Sequence, residues 1–116
     1  MPNPGVTLTK PVKPIPEFIA EEAQDGHFID LRLVFPPNIE LLPRSEVSDS
    51  ELEKLLLKCQ PVNTFERWLE AFIAYTALVE IAHPAKAQDL HGYALLIGHA
   101  HRMGGSGWLD YDALFR

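Results

Sequence analysis

Five histidines, one cysteine and sixteen carboxylates are the side chains of this sequence that could do chemistry. Their spacing argues that they do not. His99 and His101 stand two residues apart, about 200° around a helix, so a helix cannot turn both toward one ion. His91 and His99 are about two helical turns apart, too far to share one. The sequence holds no HExxH, no CxxC and no carboxylate–histidine pair at i, i+4. Glu66 and Glu70 do share a helical face, but acid–base work needs one of such a pair desolvated. Arg67 beside them predicts a solvated surface cluster instead.

Two further arrangements resemble active-site fragments. The Gly-Gly-Ser-Gly run at 104–107 has the look of a phosphate loop. It lacks the following Lys and Ser or Thr, and a helix precedes it where a P-loop has a strand. The run predicts a hinge. Cys59 with His83, or Ser106 with His101, would serve as nucleophile and base only if the fold joined them, and neither pair has a flanking motif. No catalytic, cofactor-binding or metal-ligating residue is assigned, and the expectation is a protein that is not an enzyme.

A chain of 116 residues holds one domain. Folding should bury roughly 60–70% of the unfolded surface, enough for one core with little margin. Apolar residues make up 47% and charged residues 22%, the balance of a globular chain rather than a disordered tail. The single cysteine excludes an internal disulfide framework and predicts a small core residue in a reducing compartment. No charged start followed by an apolar run marks a secretory signal. The apolar stretch at 71–79 is too short to span a bilayer, so an intracellular location is expected. A net charge of −6 with scattered Lys and Arg repels phosphate backbones and argues against direct nucleic-acid binding.

Five of the ten prolines fall in the first sixteen residues, which predicts an extended Pro-rich leader over 1–16 and a helical domain over 17–116. Pro16 opens a short helix that ends at Asp25 and Gly26. Residues 27–35 read as an extended or single-turn segment on the core, terminated by Pro36 and Pro37. Ser48 with Glu51 forms a capping box, Val47 with Leu52 a staple, and Leu52, Leu55, Leu56 and Cys59 one helical face. Asn63 or Thr64 caps the next helix, with Glu66 at the box position if Asn63 is the cap. Phe65, Trp68, Leu69, Phe72, Tyr75, Thr76 and Val79 form its broad stripe. A helix over 85–102 buries Leu90, Tyr93, Ala94, Ile97 and Ala100, with Gly92 and Gly98 placed for close approach to a neighbour. The fold class is all-α, a small bundle of four to five helices.

Beyond the hinge, Trp108, Tyr111, Leu114 and Phe115 give a terminal helix an aromatic face. These four are the candidate interaction residues, since Trp and Tyr are frequent interface anchors. Asp112 and Arg116, four apart, suit an acid-to-base pair.

The landmarks Trp68, Ala71, Phe72 and Tyr75, then His83-Pro84, then Leu90 and Tyr93, then Trp108, Tyr111-Asp112 and Phe115-Arg116 form an ordered pattern. Together with Gly26-His27-Phe28-Ile29-Asp30-Leu31 upstream, it resembles a helical segment of Gag-like proteins from animal tyrosine-recombinase retrotransposons of the DIRS or Ngaro kind. The resemblance covers residues 26–116. It implies self-association or particle assembly, with nucleic acid held by other parts of a polyprotein and no enzymatic residues here. The expected function is a non-catalytic protein–protein interaction domain whose partner is itself. The alternatives are a peptide-binding adaptor, and a nucleic-acid module using Lys86, His99, His101 and Arg102.

Overall fold

The computed structural model describes residues 15–105 and 107–115, the last two as backbone only. Of the Pro-rich leader, only Ile15 and Pro16 fall within that range; the rest lies outside the described residues. Those residues are all-α: helices α1 (Glu17–Gln24), α2 (Asp49–Lys58), α3 (Phe65–Ala82), α4 (Ala87–Arg102) and α5 (Gly107–Phe115), with three short 3₁₀ turns and no strand among them.

Local chemistry starts and stops these helices. The Pro16 carbonyl accepts from the amides of Ile19 and Ala20 at 3.1 Å each, and Gly26 at φ 82° lets the His27 amide return to the Glu22 carbonyl at 3.0 Å. Ser48 Oγ accepts from the Glu51 amide at 3.3 Å and caps α2. Thr64, not Asn63, caps α3: its Oγ1 accepts from the Arg67 amide at 3.2 Å. With Thr64 as cap, Glu66 sits one position too early to close a box. Pro36 and Pro37 end one 3₁₀ turn, Leu31–Leu33, but also open another, Pro36–Leu41. A proline's fixed φ suits a first turn, which needs no N–H from it. His83 then breaks the chain into the Pro84–Lys86 turn before α4 begins at Ala87.

α3 is the central stave. Its Trp68, Ala71, Phe72, Thr76 and Val79 are buried. Ile19 and Ala23 of α1 reach the core on one side, Ile97 of α4 and Trp108 of α5 on others. The loop between α1 and α2 supplies Leu31, Leu33, Val34, Phe35, Ile39 and Leu42. The predicted face of α2 is covered less than its pattern implies. Only Cys59, at its C-cap, is buried, while Leu52, Leu55 and Leu56 are half-buried.

That loop is irregular, so its backbone polar groups need side-chain partners. Asn38 is fully buried and provides several. Its Nδ2 donates to the carbonyls of Arg32 (3.1 Å) and Gln60 (3.0 Å), and its Oδ1 accepts from the Gln60 amide at 2.7 Å. Arg32 grips Asp30 through two side-chain contacts, 2.7 and 3.0 Å, and donates Nη1–H to the Leu56 carbonyl at 3.3 Å. The hydrogen bond to Asp30 holds the Arg32 guanidinium above its ordinary pKa. At the other end of α1, Gln24 Nε2 donates to the Leu78 carbonyl at 3.3 Å, and His83 Nε2 donates to the Gln24 carbonyl at 2.8 Å.

The two glycines of α4 serve different ends. A Cβ on Gly98 would meet the Phe65 ring at 3.4 Å, so close approach holds there. A Cβ on Gly92 would meet nothing within 4 Å among the described residues, and the expected close approach does not occur there. Gly92→Ala therefore gains helix propensity at no steric cost, and should raise stability by about 1 kcal/mol in thermal unfolding. Asn38→Ala strands the Gln60 amide and two carbonyls, and a urea titration should show a loss of about 3 kcal/mol. Asn38→Asp should fare no better, because it turns a carboxylate oxygen toward two carbonyl oxygens.

Candidate interaction surface

The aromatic residues collect between α3, α4 and α5. Trp68 stacks on Phe72 (centroids 4.7 Å, 11° between planes), and Phe65 stacks on His101 (4.7 Å, 7°). Trp108 meets Phe65, Trp68 and His101 edge-on at 5.8, 6.1 and 5.5 Å. Edge-to-face pairs of this kind add to what area burial alone contributes. The Trp68 indole N–H and His101 Nδ1 are buried in the same cluster with no hydrogen-bond partner among the described residues.

This geometry corrects the expectation for Trp108. At 4% exposed it is a core residue of its own chain, not an anchor held out to another. The glycine joint turns tightly enough to bring α5 back: Gly104 and Gly105 have φ of 99° and 75°, open only to glycine without strain. Tyr111 is 38% exposed at the margin. The side chains of Leu114 and Phe115 lie outside the described residues, as does Arg116, the expected mate of Asp112. Asp112 is buried and accepts from the Tyr93 hydroxyl at 2.8 Å, tying α5 to α4.

The other chemical candidates are not brought into working order. His83 is engaged at the Gln24 carbonyl. Cys59 lies buried near Arg32 and Asp30, and desolvation pushes its thiol up, outweighing the pull of Arg32. A protonated buried thiol is inert. Ser106 lies outside the described residues. Among those described, no group of three or more His, Cys, Asp or Glu side chains could hold a metal ion. Lys86 and Arg102 bracket the 16 residues of α4, about 24 Å of helix, and His101 between them is turned into the aromatic cluster. They do not make one basic patch. No helix among the described residues is long and apolar enough to cross a membrane.

What the structure leaves uncovered is a face formed by α3 and α4 together. Ile73, Ala77 and Ile81 follow one another at i, i+4, i+8 along α3, with Ile73 61% and Ile81 73% exposed. They line a cleft of about 410 Å³ whose far wall is His91 and Ala94 of α4. Leu95, 73% exposed, follows Ala94 on α4. The stripe was missed because the aromatic row through Phe72 dominates α3, while Ile73 and Ile81 sit about 100° and 180° around from it. The available signal was the run 71–79, in which no residue is charged: α3 is apolar around more of its circumference than one core requires.

Charge is distributed along this face in a definite order. α3 and α4 are joined by a short turn and run antiparallel, and the Gly98–Phe65 contact places the C-terminal part of α4 beside the start of α3. Exposed Glu66 therefore lies near the level of exposed His99, while Glu70 stands about one turn beyond it along α3 and Arg102 about one turn the other way along α4. Comparison with known protein families, with characterised proteins and with solved structures finds no match for this chain. The Tyr93–Asp112 bond helps hold α5 against α4. Tyr93→Phe should cost about 1 kcal/mol in chemical denaturation, the worth of a typical intramolecular hydrogen bond.

Proposed function

We propose that this chain is a non-catalytic self-association domain, and that the exposed α3–α4 face is where two copies meet. The observation that carries the reading is the exposed apolar row of Ile73, Ala77 and Ile81 along the cleft, with exposed Leu95 on α4. Single exposed apolar residues are ordinary, but a contiguous strip bordering a cleft marks an interaction surface. The charge order favours a second copy as the occupant. A two-fold axis running along the groove sets α3 of one copy against α4 of the other without changing the level along the helices. Glu66 of each chain then stands nearest His99 of its partner, with the long Arg102 side chain about a turn away, an isologous contact that closes on itself. Such charges steer and orient the pair, while the buried isoleucines and leucine supply most of the affinity.

The likeness of the aromatic landmarks to Gag-like retroelement segments supports the same reading. It would make this pairing one contact within a larger assembly. The net charge of −6 fits an assembly role better than a nucleic-acid one.

Light scattering coupled to size exclusion, run over a concentration series, tests the proposal. The mass should climb from 13.0 kDa toward twice that value as concentration rises. Ile73→Glu with Ile81→Glu should hold the protein at monomer mass over the same series while leaving its helical circular dichroism intact. Glu66→Lys should weaken pairing by roughly tenfold or less, as a rim charge does, and adding Arg102→Glu should restore part of it. A wild-type mass that stays monomeric at the highest concentration defeats the proposal. A double variant that still pairs defeats this choice of face.

A further inference from the structure

A second cleft, of about 290 Å³, lies where α1, the segment at 28–33 and α2 meet. Its apolar wall includes Ile19, Leu33, Leu52 and Leu56, and its rim carries Glu22, Asp30, Glu46 and Asp49. Two of those carboxylates have partners within the chain: Glu22 contacts His27, and Asp30 holds Arg32. Among the described residues no ion pair involves Glu46 or Asp49. Asp49 has a separate reason to be there, since it stands in the first turn of α2, where the helix dipole favours an anion. Glu46 precedes the helix and has none. The apolar side of α2 borders this cleft, and no side chain of α2 is fully buried. An amphipathic helix with a half-covered face and an acidic rim is shaped to take an apolar segment that carries positive charge.

The chain's own leader has that composition. Residues 1–16 contain Lys10 and Lys13 and no carboxylate, and Val6, Leu8 and Val12 are interspersed with them. The leader joins α1 at Pro16, two residues before Phe18, which itself lines the cleft. The eight residues 6–13 span about 26 Å when extended, ample for a cleft that begins within a turn of their attachment point. Prolines at 11, 14 and 16 limit the backbone freedom that docking would remove. Attachment also gives the segment an effective concentration on the order of millimolar at its own cleft, so its own chain outcompetes others at ordinary protein concentrations.

We propose that residues 6–13 occupy this cleft in the same chain, their apolar side chains against Leu52 and Leu56 and their two lysines toward Glu46 and Asp49. The occupant completes the cover of α2 and is independent of the α3–α4 face. Nuclear magnetic resonance on the full chain tests it. A nitroxide on Thr7→Cys, in a Cys59→Ala background, should strip intensity from the amides of Val47, Leu52 and Leu56. Lys10→Glu with Lys13→Glu should restore that intensity, and adding Glu46→Lys with Asp49→Lys should bring the loss back. The two leader substitutions made with Cys59 left in place should move the same amide shifts, which guards against damage from the cysteine change. Unaltered intensity and shifts at low salt overturn the proposal. So does intensity loss that appears only between chains, seen by mixing nitroxide-labelled chain with isotope-labelled chain that bears no nitroxide.

Discussion

Trp68 is buried almost completely, stacks on Phe72 one turn along α3, and takes Trp108 edge-on from α5. This contact sets the order in which the rest can pack. Phe72 extends it to Tyr75 and to Tyr93 of α4, and Phe65 extends it to His101. The α5 helix has nine residues and follows a glycine hinge. Alone it is far below the length at which helices hold together in water. Its place depends on Trp108 in the cluster and on the Tyr93–Asp112 hydrogen bond beside it. The Trp68 N–H and His101 Nδ1, without a partner among the described residues, are a cost of about 1–3 kcal/mol each that the ring contacts must offset.

The N-terminal half is held by a different kind of force. Between α1 and α2 the chain makes only two short 3₁₀ turns, so apolar side chains enter the core from a backbone that cannot satisfy itself. Asn38 resolves the conflict by acting as a substitute backbone, donating to two carbonyls and accepting from one amide. Arg32 does the same at the C-terminal end of α2 through the Leu56 carbonyl. A single helix in this stretch would need neither residue. The polar knot is the price of packing a loop where a bundle would put a helix.

Much of this was legible in the sequence because it is governed locally. The Ser48 cap, the glycine stop at Gly26 and the row from Phe65 to Val79 rest on hydrogen bonds and periodicity within a few residues. What escaped depends on distant partners. Asn38 looks like an ordinary loop residue until Gln60, 22 positions away, supplies its mates. Trp108 reads as an interface anchor because composition cannot say that a tight glycine turn folds it back onto Trp68. Gly92 and Gly98 look alike in sequence, and only the position of Phe65 separates them. The candidate surface was hidden for a related reason. Periodicity finds the richest stripe on a helix, and on α3 the aromatic stripe outweighs the aliphatic one beside it.

The exposed face follows from counting the sides of α3 against the elements that cover them. Of its 18 residues only Glu66, Arg67, Glu70 and Glu80 are charged, and between Glu70 and Glu80 the helix has none. A helix apolar around most of its circumference is stable only when surrounded. Here α1 takes one side, the loop with its 3₁₀ turns a second and α4 a third. None of the helices among the described residues covers Ile73, Ala77 and Ile81. On the proposed reading a second copy supplies that cover, and the same α3 that organises the core then organises the contact. On that view the uncovered isoleucines are the outer edge of the core cluster, continued across a symmetry axis.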